Sequence, residues 1–114
     1  MTAATTRPQT DPSTPVTVRL SRTALLEATE VWVWDDDAAN DAVLAAERVA
    51  MASRAIALTV PVTLPLAAAE DLLAHLGYTG WYTDVERPVR DGCRRAWTSV
   101  SRQLRAQTGK AYRP

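Results

Sequence analysis

Seven arginines (87, 90, 94, 95, 102, 105 and 113) and Lys110 lie between Val85 and Pro114, against only Glu86 and Asp91, a net charge of +6. Residues 1–84 hold five arginines against eleven acids, a net −6, so the neutral 114-residue chain is an acidic body with a basic C-terminal segment. Guanidinium groups present forked N–H donors that match phosphate and carboxylate oxygens, which suits this segment to an anionic partner. The same separation of charge also allows the chain to fold back on itself, arginine to aspartate.

Spacing narrows the chemistry. Val89, Cys93, Trp97, Val100 and Leu104 recur at helical intervals and form one apolar seam. Arg90, Arg94, Arg95, Arg102 and Arg105 occupy the remaining surface of a helix expected over about 84–108. Docked by its seam, such a helix holds those five side chains as binding residues for nucleic acid or another acidic macromolecule. Two plainer outcomes stand beside that one: the arginines are simply solvated, or they pair with Asp35, Asp36, Asp37 and Asp41. Twelve arginines to one lysine is also the bias of a GC-rich genome, which supplies arginine without any selection for recognition.

A second group is Tyr78-Thr-Gly-Trp-Tyr82, expected as an aromatic loop. Tyr78, Trp81 and Tyr82 there suit a protein contact, because rigid aromatic side chains lose little entropy on binding. Alternatively Trp81 folds under the loop to complete a core that contains no phenylalanine. The run around Asp35–Asp41 fails as a calcium loop, since Asn40 falls where glycine is needed and Ala46 where a bidentate glutamate is needed. Helix capping explains it better. His75, the only histidine, is expected near a helix end against free carbonyls, and Cys93 as a small buried hydrophobe in the seam. With no phosphate-binding glycine loop, zinc spacing or nucleophile elbow, the expectation is a non-catalytic protein without metal or cofactor.

The elements that position these groups follow from period and punctuation. Residues 1–15 are polar and rich in Thr and Pro, a disordered leader ahead of one small domain over 16–114. Val16–Leu20 alternates as a strand, and Ser21 caps a helix running toward Trp34. A helix over about Ala38–Leu58 carries a stripe of Ala45, Val49, Ala52 and Ile56. Thr59–Leu64 alternates again, with Pro61 marking an edge strand or an extended connector, and Pro65–Leu76 forms a helix closed by Gly77. Thr83 or Pro88 opens the last helix and Gly109 stops it. Val16–Leu20 plus helix is echoed by Val60–Leu64 plus helix, and two such units can pair their strands into a ribbon.

Thr17-Val-Arg-Leu-Ser21 followed by Ala24-Leu-Leu26 resembles the opening of a ribbon-helix-helix repressor. The resemblance covers about ten residues and lacks the second half of the motif. It implies a strand paired with that of a second subunit, with Thr17 and Arg19 facing the DNA major groove.

The fold class expected is therefore α+β and predominantly helical, with three to four helices and at most two or three short strands. Trp32 or Trp34, Val49, Ile56, Leu72, Leu73, Leu76, Trp97, Val100 and Leu104 should form the core. One cysteine excludes an intrachain disulfide and points to a reducing, cytoplasmic setting. The start of the chain lacks a signal-peptide pattern, and no apolar run approaches a membrane span. The function expected is a small accessory or regulatory binding protein using the C-terminal arginines. Its rival is a protein-interaction module, homodimeric in one form, that uses apolar helix faces and the 78–82 segment.

Overall fold

A computed structural model of the chain describes residues 11–30, 37–54 and 58–114. Six elements follow in order: β1 (Pro15–Ser21), α1 (Arg22–Glu30), α2 (Asp37–Ala52), β2 (Thr59–Pro65), α3 (Leu66–Tyr82) and α4 (Arg87–Thr108). The fold is α+β and predominantly helical.

The strand echo becomes a ribbon. β1 and β2 pair antiparallel, with Val16 opposite Leu64, Val18 opposite Val62 and Leu20 opposite Val60. Strand alternation puts those six side chains on one buried face and leaves Thr17, Arg19, Pro61 and Thr63 on the solvent side. The outer edge of β1 is closed by two glutamines of α4. Gln103 accepts the Arg19 N–H through Oε1 at 2.6 Å and donates from Nε2 to the Arg19 carbonyl at 3.0 Å. Gln107 does the same for Thr17, at 3.2 and 2.8 Å. Thr17 and Arg19 thus turn their backbone groups outward, which makes Arg19–Pro61 a pair without ladder bonds. Pro61 consequently costs the ribbon no hydrogen bond. The partner strand that the ribbon-helix-helix resemblance implied from a second subunit comes instead from the same chain.

Each strand leads a pair of helices, and the second helix of each unit covers the other unit's strand: α2 packs on β2, and α4 on β1. Ser21 caps α1, its Oγ accepting the Ala24 N–H at 3.2 Å. Arg22, one residue on, donates to the carbonyls of Ala50 and Ser53 at the C-terminus of α2. Asp37 opens α2, where its charge complements the helix dipole. The N-terminus of α3 is satisfied by carbonyls of the preceding segment: Thr14 accepts the Leu66 N–H and Pro12 the Ala67 N–H, both at 2.9 Å. Residues 11–15, expected to belong to the leader, are therefore structured; residues 1–10 lie outside the described residues. Gly109 stops α4 in the left-handed region at φ 74°, its N–H bonding the Arg105 carbonyl.

Three expectations are corrected. First, α2 ends at Ala52 and buries Ala39, Val43, Ala46 and Ala50, leaving Val49 56% exposed. The helix is apolar on two sides, and the narrow alanine face wins because it brings the backbone closest to the ribbon. Second, α3 does not stop at Gly77 but runs through Gly80 to Tyr82, so the aromatic segment 78–82 is helical. A Cβ on Gly77 would lie 3.2 Å from the Trp97 indole, and one on Gly80 would lie 3.0 Å from Cγ of Arg94. These glycines admit α4 rather than end a helix, and that packing outweighs their cost of about 1 kcal/mol each. Third, His75 consequently sits within α3, bonded to the Glu27 carboxylate of α1 at 3.1 Å. Leu72, Leu73, Leu76, Val100 and Leu104 are core as expected, and Trp97 packs against the core while partly exposed. Trp32, Trp34 and Ile56 lie outside the described residues.

Candidate nucleic-acid interface

α4 buries Gly92, Cys93, Ala96, Val100, Leu104 and Thr108, so the expected seam holds at Cys93, Val100 and Leu104, while Val89 is exposed at the helix start. Gly92 lets α1 come close: a Cβ there would meet Cγ2 of Thr23 at 2.9 Å. Clamped between α3, α1 and β1, the helix fans its five arginines in different directions. They do not form one face.

Arg94 is committed to structure. Its Nε donates to the Gly80 carbonyl at 2.6 Å, and its guanidinium lies 5.3 Å from the Trp81 ring centre. Trp81 in turn stands edge-on to Trp97, with ring centres 5.5 Å apart. Arg90 lies half-buried at the opening of the helix, its Nε 4.0 Å from the Asp91 carboxylate, too far for a hydrogen bond. Arg105 is exposed further along.

Arg95 and Arg102, two helical turns apart, converge on an open groove between α4 and the ribbon. Opposite them stands Arg19 of β1, held in place by its Nε donating to Thr59 Oγ1 at 3.1 Å. Arg94, Thr59, Thr98, Ser99 and Gln103 complete the lining of this concavity of about 670 Å³, and no carboxylate lines it. A second hollow of about 400 Å³ continues it past Arg95 to Arg22 and Thr23 at the start of α1. Among the described residues, Arg95, Arg102 and Arg105 have no carboxylate partner; the ion pairs of the C-terminal segment are Arg87–Asp91, Arg90–Asp91 and Lys110–Glu70. The expected pairing with Asp35 and Asp36 falls outside the described residues.

Of the five arginines singled out by sequence, the fold brings Arg94, Arg95 and Arg102 to one groove and adds Arg19. The i, i+7 spacing of Arg95 and Arg102 with Thr98 and Ser99 between them was a local signal for a shared stripe. Nothing local pointed to Arg19 as their partner, because that depends on α4 crossing the edge of β1. Tyr78 and Tyr82 are well exposed on α3, and Trp81, 37% exposed, is partly covered by Arg94 and Trp97.

Cys93 is fully buried, and burial together with the Glu27 carboxylate pushes its thiol up to about 11. A thiol that keeps its proton is a weak nucleophile and a poor metal ligand. Among the described residues, no cluster of His, Cys, Asp and Glu suits a metal ion, and no helix is long and apolar enough to cross a membrane. Comparison with protein-family models, with curated proteins and with solved structures finds no match to this chain.

Proposed function

We propose that this is a small accessory binding protein that docks nucleic acid through the groove between β1 and α4. One observation carries the proposal: Arg19, Arg94, Arg95 and Arg102 line an open concavity whose other walls are hydroxyls and an amide, with no acid to neutralise them. Fixed guanidinium groups and hydroxyls at this density suit a row of phosphates, and the anchoring of Arg19 by Thr59 lowers the ordering cost of binding. The arginines outside the groove add long-range attraction without defining the site.

The test is anisotropy of a labelled oligonucleotide across a salt series. Arg95→Gln with Arg102→Gln should weaken binding and make the salt slope shallower by roughly 1.4 for a single strand, two phosphate contacts' worth. Arg87→Gln, a fully surface cation beside Asp91, should change little. Equal affinity and slope in wild type and the double variant would reject the groove.

A second reading has its own support. Leu44, Val49 and Met51 are exposed on the outer side of α2, a surface suited to self-association. Light scattering over a dilution series separates the two: a dimer that dissociates on Val49→Glu, with no oligonucleotide binding, favours the interaction module.

A further inference from the structure

The cationic groove does not end at Arg102. Thr98 and Arg102 also line the next depression along α4, which reaches Arg105, Trp97 and Tyr112. Trp97 and Tyr112 in turn line a third, of about 260 Å³, whose other walls include Tyr78, Tyr82 and Arg113. One strip therefore runs from four arginines to four aromatic rings. Resting on the groove as the phosphate-binding site, we propose that its occupant is a single-stranded nucleic acid whose unpaired bases stack on Tyr78, Tyr82 and Tyr112.

The chemistry distinguishes this occupant from other polyanions. A duplex buries its base faces and leaves the aromatic end unused, and an acidic peptide offers no planar groups to it. Glu70 lines the aromatic end and repels a carboxylate there, whereas a neutral base is indifferent to it. The rings are also held ready. Tyr112 donates to Glu70 at 2.7 Å, and Trp97 is braced by Trp81. Tyr78 and Tyr82, 60% and 67% exposed, expose ring surface with no core role. A cationic track followed by aromatic platforms is the arrangement that single strands require, since every base has a stackable face.

The experiment compares labelled oligothymidylate of about 12 nucleotides with a duplex of equal length and with inorganic polyphosphate, in wild type, Tyr78→Ala/Tyr82→Ala and Tyr78→Phe/Tyr82→Phe. The wild type should prefer the single strand. The alanine pair should weaken that binding about tenfold or more while leaving polyphosphate unchanged, and the phenylalanine pair should restore it. Single-strand affinity unaffected by the alanine pair, but lost on Arg95→Gln/Arg102→Gln, overturns the stacking and leaves the groove standing. Failure of the wild type to bind any of the three probes overturns both. Circular dichroism of the alanine pair should match wild type, as both side chains are surface groups.

Discussion

Arg94 and Arg95 are adjacent in sequence and both line the groove, but Arg94 is also tied to the Gly80 carbonyl and the Trp81 face while Arg95 is more exposed. One hundred degrees of helical rotation separates the half-buried cation from the exposed one. Gly92 is decided at the same scale. Alanine there gains helix propensity of about 1 kcal/mol but forces a contact of 2.9 Å with Cγ2 of Thr23. The β-branched threonine has little rotamer freedom to yield. Gly92→Ala should therefore lose about 1 kcal/mol or more in urea unfolding, and Thr23→Ser, which removes Cγ2, should recover much of it. A stabilised single variant would show that α1 and α4 are less tightly apposed. Cys93 supplies a chemical check. With its thiol near 11 and fully buried, the folded protein should resist a thiol reagent at pH 8 and react promptly in denaturant. Fast labelling of the native state would contradict its burial.

At the scale of elements, the contact between α4 and the edge of β1 does two jobs. The Gln103 and Gln107 amides stand in for a third strand, and the same crossing brings Arg95 and Arg102 opposite Arg19. Gln103→Ala/Gln107→Ala should cost about 1–3 kcal/mol of stability and expose four backbone groups on β1. An uncovered edge promotes pairing between chains, so light scattering should detect association absent from wild type. Unchanged stability and a monomer would mean the glutamines are incidental. The segment after α4 is a separate clasp, Lys110 and Tyr112 both donating to Glu70 of α3. Burial raises the Glu70 carboxyl, but these two hydrogen bonds and the Lys110 charge outweigh it, leaving it below its ordinary value. Lys110 is raised by its bond to Glu70, and Tyr112 by burial. A lowered acid stabilises above its unfolded value and loses that as pH falls through the folded one; a raised group stabilises below its unfolded value and loses that as pH rises through the folded one. The clasp should hold between those limits and loosen below the usual glutamate range and above the usual tyrosine and lysine range. Amide shifts of residues 110–113 that stay constant on acidification through pH 5 to 3 would disprove it.

For the whole molecule, the crossing of helices between units matters most. Because α2 covers β2 and α4 covers β1, neither strand–helix–helix unit buries its own ribbon face alone. Circular dichroism and tryptophan fluorescence should consequently report one coincident urea transition, and a half that melts separately would contradict the exchange. The charge of the groove is likewise shared between units, Arg19 coming from the first and Arg94, Arg95 and Arg102 from the second. Arg19, Arg95 and Arg102 gather on the β1–α4 side, while Thr63 takes the place of Arg19 in the strand echo. Among the described residues, the two-stranded ribbon with a helix pair behind each strand thus carries a cationic flank on its β1–α4 side.

The alternation of Val16–Leu20 and Val60–Leu64, the Ser21 cap, the Gly109 stop and the period of the last helix were legible in the chain, because each is set by residues within one or two turns of it. The separation of charge was equally plain. Tertiary contacts decided which apolar side of α2 is buried, and they carried α3 through Gly77 and Gly80, where α4 needed the room. They also tied Arg94 to the Gly80 carbonyl and joined Arg19 to Arg94, Arg95 and Arg102 in one groove. Periodicity states that a face exists, but only the long-range packing of α4 across β1 determines which charges that face ends up holding together.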